Sequence, residues 1–176
     1  MNRTTLHRFA LPLILLATPL SAGLVRDKPT RMDESDAYEM MASAAEGDAQ
    51  TCLDGEPADA AAAGTLIATC LSGEAKVRTL LDNPDDLNAG DRAVVHLLLG
   101  ELASYRVTLG LKADDDISAR VCAATESAVH ELGRVEPGLI PLEMETEAAG
   151  SRKELAVHLP KCRAQFGTPK DGDPLD

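Results

Sequence analysis

From Asp91 to Leu111 the chain carries Val94, Val95, Leu97, Leu98, Leu99, Leu102, Tyr105, Val107 and Leu109. At 3.6 residues per turn these cover most faces of a helix about 30 Å long, and a helix that is apolar nearly all round has to be surrounded by other elements. The rest of the sequence must therefore supply a coat. No period-2 alternation of useful length occurs, so the coat is expected to be helical. Gly100, inside the apolar segment, allows one coating helix to come close.

Five further segments fit that coat. Asp36 with Glu39 three residues on predicts a first helix ending at Gly47, its apolar face made by Met40, Met41, Ala44 and Ala45. Asp54 to Pro57 read as a loop, after which the Ala-rich run Ala58 to Leu71 predicts a second helix closed by Gly73. A short third helix from Glu74 to Leu81 stops at Asn83 and Pro84. After the central segment, Ile117, Val121, Ala124, Ala128, Val129 and Leu132 recur at steps of three and four. Asp114, Asp115 and Asp116 stand in front of them, where carboxylates favour a helix N-terminus. Arg134 to Gly150, with Pro137, Gly138 and Pro141, reads mainly as loop. Ser151 followed by Glu154 then predicts a capping box opening a last helix with Leu155, Leu159, Cys162 and Phe166 on one stripe, kinked or split by Pro160.

The N-terminus has the pattern of a removable export signal: Arg3 and Arg8, an apolar stretch from Phe9 to Leu20, then Ser21, Ala22 and Gly23. Cleavage is expected after Ala22 or Gly23. Apart from that stretch, no apolar run is expected to insert into a membrane. The organisation predicted is a signal at 1–22, a flexible leader at 23–33, one helical domain at 34–167 and a disordered tail at 168–176. The chain has 17 basic and 29 acidic residues, a net charge of −12, and removal of residues 1–22 with their two arginines leaves −14. Such a charge argues against nucleic acid and anionic membranes as partners and toward a basic protein.

All four cysteines, Cys52, Cys70, Cys122 and Cys162, follow the signal, and an even number in an oxidising compartment predicts two disulfides. None of the spacings is C-x-x-C. With a turn centred near Leu142, Cys122 and Cys162 lie 20 residues either side and would come level on antiparallel helices. Pairing Cys52 with Cys70 requires the segment at 49–57 to run back along the Ala-rich helix, because the Cα atoms must come within about 7 Å.

Motifs for chemistry are absent. His96, His130 and His158 have no zinc-binding spacing and read as surface or half-buried imidazoles. Calcium-loop registers starting at Asp82 or Asp86 fail, the first with Pro84 at position 3, the second with Gly90 at position 5 and Leu97 at position 12. The acidic clusters at 33–36, 82–86 and 114–116 are better explained as helix-start caps. There is no nucleophile elbow, phosphate loop or dinucleotide fingerprint. Four large apolar residues in the expected loop, Leu139, Ile140, Leu142 and Met144, either cap the core or form a partner surface.

The expectation is an all-α, single-domain bundle of five or six helices tied by two disulfides, periplasmic or secreted. It is expected to have no catalysis and no cofactor, and to act by protein–protein binding as an inhibitor, immunity-like factor or assembly factor. Weak divalent-cation binding through the acidic clusters is the alternative, and a hydrolase with a carboxylate site is a more distant third.

Overall fold

The computed structural model describes residues 30–83 and 87–167. The signal segment, most of the leader, Pro84 to Asp86 and the tail lie outside the described residues. The fold is an all-α bundle tied by two disulfides. Seven α-helices and one short 3₁₀ turn are present among the described residues, against an expectation of five or six helices: α1 (Glu34–Ala44), α2 (Asp48–Leu53), α3 (Ala60–Thr79), the 3₁₀ turn (Leu80–Asp82), α4 (Ala89–Asp114), α5 (Ala119–Leu132), α6 (Leu142–Ala156) and α7 (Leu159–Phe166).

Local chemistry sets the starts of the helices. Asp33 caps α1 by accepting from the Asp36 N–H, and Asp59 caps α3 by accepting from the Ala62 N–H. Asn88 and Asp91 form a reciprocal capping box on α4, each side chain accepting from the other's backbone N–H. Ser118 caps α5. The acids at 114–116 are therefore not the cap of α5, as the sequence suggested. Asp114 ends α4, Asp115 turns the chain with a left-handed φ of 56°, and Asp116 accepts from the Ile117 N–H in the connection.

α4 is the axis of the bundle. Fifteen of its residues are buried, with α3 packed along one side and α5 antiparallel along another. Its length and composition would allow it to cross a membrane, which corrects the expectation that no run after the signal qualified; 72% of that window is buried by its neighbours, as a core helix requires. Gly100 admits α5: a Cβ there would lie 2.5 Å from Leu132 Cδ2.

Asp54 to Pro57 are loop, as expected; α2 forms in the stretch before them, and α3 joins into one helix the two expected at 58–71 and 74–81. Gly73 does not end a helix. It lies within α3, at the point where the backbone of α2 crosses, and a Cβ on it would sit 2.6 Å from Ala49 N. The Cys52–Cys70 disulfide fastens the same crossing, with a Cα separation of 4.9 Å, so the 49–57 segment does run back along α3. Cys122–Cys162 joins α5 to α7 at 5.4 Å. The closed loops span 18 and 40 residues, for which chain entropy gives about 3 and about 4 kcal/mol of stabilisation.

The predicted loop at 134–150 is only half loop. Pro141 stands as the N-cap of α6, where its missing N–H costs nothing, and Ser151 lies in the middle of that helix rather than capping a new one. Pro160 falls in the first turn of α7, so the expected break is between α6 and α7, at Val157 and His158.

Candidate functional site

Leu139, Ile140 and Met144 are buried with Ala93, Val94, Leu97 and Leu132 in one of the two larger core clusters. They close the end of the bundle and are not available to a partner in this fold. The physical reason is that α6 begins at Leu142 and folds the preceding turn down onto α4 and α5. Of the four, Leu142 alone projects, at 65% exposure.

The histidines separate. His130 and His158 are exposed, but His96 is buried at 7% exposure, which corrects the surface or half-buried reading. Its Nδ1 lies 2.8 Å from Glu131 Oε2, and Glu131 Oε1 is 3.2 Å from an Arg78 amino nitrogen. One turn away, Glu74 and Arg106 form a second buried pair at 3.2 Å. Burial by itself would raise the Glu131 carboxyl, but the hydrogen bond with His96 and the charges of Arg78, His96 and His130 together bring it below its ordinary range. Glu74 is pushed up to about 7 by burial, against the opposing charges of Arg106 and Arg78 and with Glu131 adding to the rise. These five groups link α3, α4 and α5 and have a structural use, satisfying charges that the apolar α4 carries inward.

The functional candidate lies on the other side of α4. Leu97, Glu101, Ser104, Thr108 and Leu111 fall at steps of four, three, four and three, so they form one straight stripe along the helix. α6 packs mainly on α5. The gap between the stripe and α6 is a groove with two continuous parts. The first, of about 630 Å³, is lined by Glu101, Tyr105, Glu147, Ala148 and Gly150, among others. The second, of about 360 Å³, is lined by Val107, Leu111, Ile117, Val121, Leu155, His158 and Cys162, among others. Ser104, Thr108, Ser151 and Glu154 line both.

Three carboxylates thus face one groove: Glu101 on α4, and Glu147 and Glu154 on α6. Glu101 is pushed up to about 6 by burial and by the neighbouring Glu147 charge. None of the ion pairs among the described residues involves these three, whereas Glu126, Glu131, Glu145, Glu74, Asp48 and Asp114 each have a basic partner. A cation entering the groove would therefore meet carboxylates that no basic side chain among the described residues already holds.

Sequence reasoning missed these residues. A signal existed in α4: Glu101 interrupts an otherwise apolar segment in register with Ser104 and Thr108, which marks a face the core does not cover. None existed for Glu147 and Glu154, because Pro141 was read as a breaker.

The acidic clusters found by sequence are dispersed as helix ends, and Asp85 and Asp86 fall outside the described residues. Among the described residues no three His, Cys, Asp or Glu side chains gather as a metal ion would require. Comparison with known protein families, curated proteins and solved structures returns no match for this chain.

Proposed function

We propose that the protein is an exported, non-catalytic binding protein that holds a basic protein partner in the α4–α6 groove, serving as an inhibitor, immunity-like factor or assembly factor. The observation that carries this reading is a set of three carboxylates, Glu101, Glu147 and Glu154, that line one groove with no ion pair among the described residues, in a chain of net charge −12. Long-range attraction brings a cationic partner to such a surface, and the local carboxylates supply the ion pairs once it arrives. Two disulfides are consistent with an oxidising compartment, and the basic, apolar, small-residue order of residues 1–23 supports export to a periplasm or beyond.

The test is titration with a lysine-rich peptide and with acidic and neutral control peptides, at two salt concentrations. The cationic peptide should bind, lose affinity as salt rises, and bind at least tenfold more weakly to a variant carrying Glu101→Gln, Glu147→Gln and Glu154→Gln. Neutralising Glu34 and Glu39 on α1 and Glu46 just beyond its end removes the same charge and should leave most of the affinity. Equal losses in the two triple variants would mean that only net charge matters and would remove the groove from the reading.

A further inference from the structure

We infer that the occupant of this groove is an amphipathic α-helix of the partner, about four turns long, with its basic residues toward Glu101 and Glu147 and its apolar residues toward Leu111 and Ile117. This rests on the reading that the groove takes a basic partner and adds the shape and polarity of what it takes.

Length comes from the stripe on α4. Leu97 to Leu111 spans 15 residues, a rise of about 21 Å at 1.5 Å per residue, which matches a helix of about four turns laid alongside. Secondary structure comes from backbone accounting. Among the described residues the chain has no strand and therefore offers no open sheet edge. An extended peptide would find no ladder of backbone partners here, whereas a helix satisfies its own N–H and C=O groups. Close approach comes from Ser104, Thr108 and Ser151, short side chains at the middle of the groove where the two parts join.

Polarity comes from the two ends. Glu101 and Glu147 occupy the end nearer Leu97. The opposite end offers Val107, Leu111, Ile117, Val121 and Leu155, with Leu111 at 44% exposure although it belongs to the central helix. An apolar side chain left in water on an otherwise buried helix gains about 25 cal/mol per Å² when covered. A purely cationic, flexible segment would use the first end and leave the second wet. A helix with lysines or arginines on its first two turns and leucine-like residues at i, i+3, i+4 and i+7 beyond them covers both.

Three 14-residue peptides separate the possibilities: one with basic residues at one end and an apolar stripe at the other, the same peptide with one central residue replaced by proline, and a scramble of the first with charges evenly spread. Fluorescence anisotropy should show the first binding at least tenfold tighter than the other two, and circular dichroism should show it gaining helix on binding. Leu111→Ser should weaken the first peptide severalfold and leave the scramble unchanged. Equal, salt-sensitive binding of all three would overturn the helix while leaving the basic-partner reading in place. Tight binding of the first that ignores both Leu111→Ser and Glu101→Gln would also overturn it, because the peptide would then sit elsewhere. Binding by none of them would overturn both.

Discussion

Gly73→Ala offers the most direct check on how α2 is held against α3. An alanine in the middle of a helix is worth about 1 kcal/mol over glycine, so on propensity alone the change should stabilise. At Gly73, however, the new Cβ would sit 2.6 Å from Ala49 N and 2.7 Å from Ala49 Cα, and these are backbone atoms that no rotamer change can move. Cys52, three residues along α2, is bonded to Cys70, three residues back along α3, so the crossing cannot open freely. Overpacking of this kind costs about 3 kcal/mol at the upper end of its usual range, leaving a net loss of about 2. Gly64 is the internal control. It lies in the same helix with nothing within 4 Å of its Cβ position, and alanine there should gain about 0.5 to 1 kcal/mol. Denaturant unfolding of the two variants should therefore differ by about 3 kcal/mol, which is about 10 °C in Tm for a domain of this size. In a background with Cys52→Ala and Cys70→Ala the loss at Gly73 should fall by about 1 kcal/mol, because α2 can then retreat. Parallel gains from both alanines, or a Gly73 penalty indifferent to the disulfide, would refute the close crossing.

Three further outcomes follow from the charged groups and the second disulfide. Glu101 rises from 4.5 to about 6 on folding, so its contribution is fully present below pH 4.5 and is lost as pH passes through about 6; Glu101→Gln should therefore stabilise by about 1 to 2 kcal/mol at pH 8 and by almost nothing at pH 4, measured by urea unfolding. Glu131 moves the other way, below its ordinary 4.5, so its contribution is present above that pH and lost as pH falls further. Glu131→Gln should cost about 2 to 3 kcal/mol at pH 7, since it uncouples buried His96 and Arg78, and the difference from the parent should shrink in acid; a gap independent of pH would count against the ionised pair. Replacing Cys122 and Cys162 with alanine should remove up to about 4 kcal/mol. It should also speed amide exchange in α7 more than in α3, and uniform acceleration across the bundle would show that α7 is not a separately fastened unit.

The parts of the fold that the sequence revealed are those where one local rule acts alone. α4 was legible because it is apolar on most faces over about six turns, and α5 because its apolar residues recur at steps of three and four. The pairing of Cys122 with Cys162 was expected, but from a turn at Leu142 that the chain does not make there: Leu142 opens α6, and Cys162 reaches α5 from α7. Where two rules compete, the sequence misled. Gly73 satisfies the pattern of a helix stop, but its lack of a side chain serves the crossing of α2. Pro141 resembles a breaker and instead starts α6, and Ser151 with Glu154 imitates a cap inside a continuous helix. α2 is six residues long and enters through Gly47 at a φ of 70°, too short to have a readable period.

Contacts between residues distant in the chain were hidden for a different reason. His96 and Glu131 are 35 positions apart, and no local pattern reports such a pair. What was available is that His96, Glu101 and Arg106 interrupt a segment apolar on most faces. Buried charge demands a partner, so each of the three either had to find one or had to mark an uncovered face. His96 and Arg106 found theirs within the bundle. Glu101 has no ion pair among the described residues, and it is the one that faces the groove.

The bond between Cys122 and Cys162 also bears on the groove, at one end only. Cys162 of α7 lines its second part beside His158, whereas the part that holds Glu101 and Glu147 is walled by α4 and α6 and takes nothing from α7. With the two thiols reduced, the carboxylate end would keep its walls and the apolar end would lose a fastening. The two halves of one surface would thus answer differently to a reductant.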